Sequence, residues 1–401
     1  MSHRTTDSAL DIDRLRRDTP ASRGLIHFNN AGSALMPNAV ADVVFEHLDL
    51  ERRIGGYEAE AAARDTLEDF YDAFAELLHC ARDEIAYVEN ATRAWDMAFY
   101  SLPLRSGDRI LTHESEYASN WLALTQLSRR LGVIIDAVPS DAHGLVDVDA
   151  MRRMITADTR VVALTHVPTH NGLINPAAAV GALAREYGLI YVLDACQSAG
   201  QLPLDVGKLG CHILSGTGRK FLRGPRGTGF LFVERGLLAM LEPPFIDMHA
   251  ARAEPPASFE LRTDARRFET WESYVAGRVG LRAAVRYLLE LGVNQVSARI
   301  GELAATLRDT LAGIPGVAVH DRGLEKSGIV TFSVEDEAPE STARRLRERR
   351  ANVSIAGPVG APLDARMRTL GSAVRASVHC YNTDIEIASF ATLVAENRAA
   401  R

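Results

Sequence analysis

Between about residues 83 and 233, short apolar runs alternate with longer segments whose apolar positions recur three and four apart. The runs are EIAYVE, DRILTHE, VIIDAVP, RVVALTHV, LIYVLDA, CHILSGT and GTGFLFV; TRAWDMAFYSL, SNWLALTQLSRRLG and AAVGALAREYG lie among them. Several runs are apolar at almost every position, as in strands covered by helices on both faces. That rhythm predicts a mostly parallel α/β sheet.

Over 277–313, GRVGLRAAVRYLLELG and the helical pattern that ends at LAGIPG predict a long helix pair leading away from this sheet. Beyond Pro315 the pattern changes to VAVHD, GIVTFSV, RLRERRANVSIAG and VRASVHCY, the strands and helices of a smaller α+β lobe. The expected division is a large α/β domain over 20–285, with 1–19 and 286–401 forming the small domain.

A chain of 401 residues, 47% hydrophobic and 24% charged, can bury a large core in more than one lobe. Its net charge of -7 provides no basic field for phosphate backbones, so no nucleic-acid partner is expected. MSHRTTDSALDIDRLRRDTP alternates charges where a signal peptide needs an apolar core, and no apolar run approaches the roughly 20 residues of a membrane span. The expectation is a cytoplasmic protein with no membrane partner. Its four cysteines form no CxxC pair and its twelve histidines show no ligand spacing, so reduced thiols and no metal are expected.

Ligands of such sheets sit at the carboxyl ends of the strands, and that is where the chemistry-bearing residues fall. Asp194 closes LIYVLDA, where an unpaired buried carboxylate would cost several kcal/mol; it needs a cation or donors, or else simply caps the next turn. Lys220 is one of only three lysines in an arginine-rich chain. A partly desolvated lysine can attack a carbonyl, which a permanently protonated arginine cannot. Alone, a lysine in a glycine-rich loop reads as solvated or phosphate-binding. Paired with a strand-end Asp about 26 residues earlier, it is the set that pyridoxal phosphate needs. The lysine takes the aldehyde and the carboxylate keeps the ring nitrogen protonated. Asn90, Ala91 and Thr92, between EIAYVE and a helix starting near Arg93, supply an anion site for its phosphate.

FNNAGSALMP, ENATRAW, ESEYASNW, THVPTHNGLINP, DACQSAG, TGRKFLRGPRGTGF and VRASVHCYNTDIE occur in this order along nearly the whole chain. They resemble the class V aminotransferase group of fold-type I pyridoxal phosphate enzymes, which includes cysteine desulfurases, selenocysteine lyases and isopenicillin N epimerases. The resemblance implies the fold-type I transferase architecture, with a sheet of the seven-stranded type and a smaller α+β C-terminal domain, and a homodimer. It makes Lys220 the catalytic Schiff-base lysine and Asp194 the pyridinium partner. Gln197 and Thr169 would stand near the phenolic oxygen. Tyr117 would stack on the ring, and Ala91, Thr92, Arg93, Thr217 and Arg219 would hold the phosphate end. Arg375 would bind the substrate carboxylate, with Asn30 and His170 also on the substrate side.

Desulfurases carry a nucleophilic cysteine in a loop ahead of this arginine, whereas here that stretch reads SIAGPVGAPLDARMRTLGSAV. The chain is also similar to C–S lyases of the group, such as hercynylcysteine sulfoxide lyase, in GGYEAEAA and in an arginine before the lysine. The expectation is therefore a C–S β-lyase cleaving a cysteine S-conjugate or its sulfoxide by Cα–H abstraction and β-elimination. An epimerase or aminotransferase is the alternative, and a cysteine desulfurase is disfavoured.

Overall fold

A computed structural model of the protein describes residues 10–396; residues 1–9 and 397–401 of the segments assigned above to the small domain lie outside it. Seven strands form the main sheet: β1 (Ile85–Val88), β2 (Arg109–His113), β3 (Ile134–Val138), β4 (Thr159–Thr165), β5 (Ile190–Asp194), β6 (Ile213–Thr217) and β7 (Gly229–Val233). Their order is β1-β7-β6-β5-β4-β2-β3. Only β7 runs antiparallel to its neighbours, β1 and β6.

The apolar runs are continuous because both faces are covered. Val192, Ile213 and Leu231 point to one side, where they meet Trp95 and Phe99. Leu193, Leu214 and Phe230 point to the other, against Phe70 and Phe74. Successive residues of a strand thus enter two cores, each buried large side chain contributing about 1.5–3 kcal/mol. β3 is the exception. It lies at the sheet edge, is partly exposed, and carries Asp136 in a two-pronged contact with Arg109 of β2.

The smaller C-terminal sheet comprises β8 (Val317–Val319), β9 (Ile329–Val334), β10 (Ser354–Ala356) and β11 (Ala373–Ser377), all antiparallel in the order β8-β9-β11-β10. Leu303 and Leu307 of helix Val293–Ala312 and Phe390 of helix Asp384–Ala395 join Phe332 in its core. The long helical stretch is two helices, Val275–Leu291 and Val293–Ala312, separated at Gly292. Gly292 has φ +85, a conformation costly for residues with a Cβ. No helix among the described residues is long and apolar enough to cross a membrane.

One connection matters for the site. Ile26–His27 pairs in parallel with Ala351–Asn352, and Asn29 bridges Ser377 at the end of β11. A few residues later, Ala34 N–H donates to the Arg219 carbonyl at 2.8 Å. Residues 29–34 are thereby laced between the small sheet and the loop after β6.

Candidate active site

The carboxyl ends of β2, β4, β5 and β6 converge on a cavity lined by Ala91, Thr92, Tyr117, Thr169, Asp194, Gln197, Thr217, Arg219 and Lys220. Asp194 is the last residue of β5. Its Oδ1 accepts the Cys196 N–H at 2.8 Å and its Oδ2 accepts Asn120 Nδ2 at 2.9 Å, so the carboxylate is fixed by donors. Asn120 Nδ2 also donates to Glu116 Oε1 at 2.8 Å. Glu116 is fully buried and accepts from Thr112 on β2, Thr165 on β4 and the Tyr117 N–H. Burial raises its pKa, hydrogen bonds from Thr165 and Asn120 oppose this, and the Asp194 charge adds to the rise.

Lys220 lies three residues beyond β6, and its amine makes no hydrogen bond or ion pair with the described residues. Burial is the largest influence on its ammonium and lowers its pKa. The Arg219 and Arg375 charges push the same way, against the opposing pull of Cys196 and Asp194. An amine so placed gives up its proton more readily than a surface lysine.

Helix Ala91–Phe99 starts at the cavity edge with Asn90 as its cap, the Asn90 Oδ1 accepting the Arg93 N–H at 2.9 Å. The N–H groups of Ala91 and Thr92 belong to the first turn, which has no intrahelical acceptors to offer them. Gly229 permits this approach: a Cβ there would fall 2.9 Å from the Asn90 carbonyl carbon.

On the small-lobe side, Gln197 Nε2 donates to Ala31 O at 3.1 Å and to Thr169 Oγ1 at 3.0 Å. Arg375, on β11, donates through one Nη1 to Thr169 O at 3.2 Å and to Thr169 Oγ1. Arg219 donates to Gly32 O at 2.7 Å. Burial, then the Arg219 charge, lower the Arg375 pKa to about 10.

Three expected site residues are placed otherwise. Arg93 is turned out of the cavity: its guanidinium lies 4.3 Å from the Phe245 ring centroid and 4.0 Å from the Glu89 carboxylate. Asn30 is committed to packing, with Nδ2 on Ser377 O and His27 O, and Oδ1 accepting the Tyr381 hydroxyl. His170 is buried against Asp364, Nε2 to Oδ2 at 2.9 Å. Burial works against the Asp364 charge, but the His170 contact and the Met367 N–H bring its pKa down to about 2. Sequence reasoning missed Glu116 and Asn120. Their spacing of four across the start of helix Ala118–Leu131 was the available signal.

The residues present fit pyridoxal phosphate. Gln197 Oε1 and Arg375 Nε are buried without partners, a state costing about 1–3 kcal/mol each unless a ligand satisfies them. With the uncompensated Lys220 amine and the free helix N-terminus, they ask for a molecule with an aldehyde, polar oxygens and an anionic end.

The family profile Aminotransferase class-V matches residues 26–390. The chain belongs to that family. It is 27% identical over 389 residues to a probable cysteine desulfurase of Pyrococcus abyssi, covering 95% of this chain and 96% of the relative. It is 30% identical over 395 residues to a probable cysteine desulfurase of Xylella fastidiosa, covering 95% and 94%. The apo structure of a cysteine desulfurase from Thermococcus onnurineus superposes with a TM-score of 0.91 at 25% identity, covering 99% of this chain and 100% of that one. The protein is thus a pyridoxal phosphate enzyme of fold type I, as its residues indicated. The preference for an S-conjugate β-lyase over a desulfurase is overturned, because the near-full-length relatives are named as desulfurases.

Proposed function

We propose that this protein is a cysteine desulfurase-type enzyme that cleaves the Cβ–S bond of an L-cysteine-derived amino acid and leaves alanine. The observation carrying this reading is the match to named desulfurases over nearly the whole chain, in a protein whose cavity is lined by Lys220 and Asp194, with Arg375 bound to the lining residue Thr169. Bound pyridoxal phosphate supplies an electron sink for charge developing at Cα. Ala91, Thr92 and Thr217 would hold its phosphate end, and the unpartnered Gln197 Oε1 would serve its phenolic oxygen. Asp194, immobilised by Cys196 N–H and Asn120, would supply the negative charge for the ring nitrogen. Arg375 receives the substrate carboxylate in the two-pronged geometry a guanidinium favours. Lys220 Nζ moves the Cα proton, a role its lowered pKa serves.

The same reading makes the protein a homodimer in the cytoplasm. Large exposed apolar side chains at Phe45, Tyr57, Phe245, Met248 and Trp271 support a partner surface, and four unpaired cysteines support a reducing compartment.

The test is product analysis of the holoenzyme incubated with L-cysteine or its oxidised-sulfur derivatives. Alanine formation that is lost in Lys220→Ala is the expected result. Pyruvate and ammonia in place of alanine would refute the assignment.

A further inference from the structure

Behind the cavity wall, Glu116 and Asp194 stand on either side of one amide nitrogen. Asn120 Nδ2 donates to Glu116 Oε1 at 2.8 Å and to Asp194 Oδ2 at 2.9 Å. The amide has two protons, so each carboxyl group takes one. Of the two, only Asp194 lines the cavity; Glu116 is fully buried and forms no ion pair among the described residues.

The two oxygens of Glu116 are partnered unequally. Oε1 receives the Asn120 amide, the Tyr117 N–H at 2.9 Å and the Thr165 hydroxyl, while Oε2 faces only the Thr112 hydroxyl, 3.2 Å away. A hydroxyl donates or accepts, so Oε2 can carry a proton and donate it to Thr112 Oγ1, whereas Oε1 is already filled with donors. The titratable groups that face Glu116 are Asp194 across the amide and the Tyr191 phenol on β5, neither of them a cation. Two carboxylates this close in a dry interior repel each other, and protonation of one removes the cost. Asp194 has access to a protonated ring nitrogen from the cavity; Glu116 has none. Burial, the largest influence on Glu116, and the Asp194 charge both raise its pKa, against the Thr165, Asn120 and Tyr117 hydrogen bonds.

The oxygen that takes the Asn120 amide also takes the Tyr117 N–H. Tyr117 lines the cavity and stands at the start of helix Ala118–Leu131, where its side chain makes no capping hydrogen bond. Asp194, which would meet the edge of the cofactor ring, and Tyr117, which would meet its face, are therefore both held from one buried atom. We propose that Glu116 is a positioning residue for the pyridoxal ring and acts as an uncharged acid. Its Oε1 sets Asp194 through Asn120 and sets Tyr117 through the backbone. Its proton leaves Asp194 as the one negative charge behind the ring. This role depends on the cofactor site and not on which product the enzyme forms.

The test uses the holoenzymes of wild type, Glu116→Gln, Glu116→Asp and Glu116→Ala. Infrared difference spectra at neutral pH report the proton, and visible absorbance after dialysis against graded free pyridoxal phosphate gives the cofactor Kd. Wild type minus Glu116→Gln should show a protonated carboxyl C=O stretch; a carboxylate stretch in its place overturns the proposal. Glu116→Gln keeps an acceptor at Oε1 and can donate to Thr112 through its amide, so its Kd should stay within about threefold of wild type. Glu116→Ala removes the acceptor and Glu116→Asp withdraws it by one methylene. Each should raise Kd roughly tenfold or more, the scale of one lost hydrogen bond. Glu116→Gln as weak as Glu116→Ala, or Glu116→Ala as tight as wild type, overturns the proposal. Should Glu116→Ala fail to fold, Glu116→Asp and the infrared spectrum decide. Neither readout involves sulfur, so failure here leaves the desulfurase-type reading intact, and pyruvate in place of alanine would leave this role standing.

Discussion

The two walls of the cavity are built on opposite principles. On the sheet side, the carboxyl groups of Asp194 and Glu116 are surrounded by donors from β2, β4, Cys196 and Asn120, so both are held before a ligand arrives. On the small-lobe side, Arg375 and Arg219 are cations satisfied only in part by backbone carbonyls, and Arg375 Nε and Gln197 Oε1 have no partner. The first wall is preorganised. The second is completed by what binds, which is how a site keeps its electrostatic strength for a ligand.

The comparison is broken most severely at the amine between the walls. Lys220→Ala is expected to lower alanine formation at least 1000-fold, on the order reported for lost acid–base groups, and to abolish the imine absorbance of the holoenzyme. Next in size, Arg375→Gln should raise the substrate KM by roughly 100-fold with little change in cofactor content, because it removes a charged two-pronged contact. Titration of initial rates against substrate checks this; an unchanged KM would remove Arg375 from the carboxylate. Asn120→Ala strips one donor from each buried carboxyl group and should destabilise the holoenzyme by about 1–3 kcal/mol in urea unfolding. If stability is unchanged, the sheet-side wall is less dependent on that amide than its geometry indicates.

The smallest effect is at the latch between residue 170 and the segment beside the site. Asp364 is depressed from its ordinary 3.8 to about 2, so its contribution to stability is present above pH 3.8 and is lost as pH falls toward 2. Asp364→Asn should therefore flatten that part of the acid unfolding profile. The change follows from the direction of the shift, and a profile identical to wild type would count against the pairing with His170.

How much of this was legible in sequence depended on how local each cause was. Asp194 and Lys220 could be read because each closes or follows an apolar strand, and the strand-end rule needs no knowledge of partners. Glu116 could not, because its burial is created by Thr112 and Thr165 on two other strands, distant in sequence. Arg93 was expected inward from its place in the first helical turn. The side chain instead lies over Phe245, an aromatic more than a hundred residues later. Asn30 belongs to a motif with substrate-side associations, yet its amide is used up holding the chain to Ser377 and Tyr381. The order β8-β9-β11-β10 depends on pairings across the whole C-terminal region, which no local pattern specifies. The reaction is not legible from one loop: the absence of a cysteine from SIAGPVGAPLDARMRTLGSAV concerns a single side chain, whereas the likeness to named desulfurases extends over nearly the whole chain.

The stretch 29–34 touches the small sheet at Ser377 and the lysine loop at the Arg219 carbonyl, with Gly32 on the Arg219 side chain between them. It works as a tie rod across the cleft. A hinge movement of one lobe would pull on it directly, so the guanidinium would feel the approach of the opposite lobe before any solute touched it.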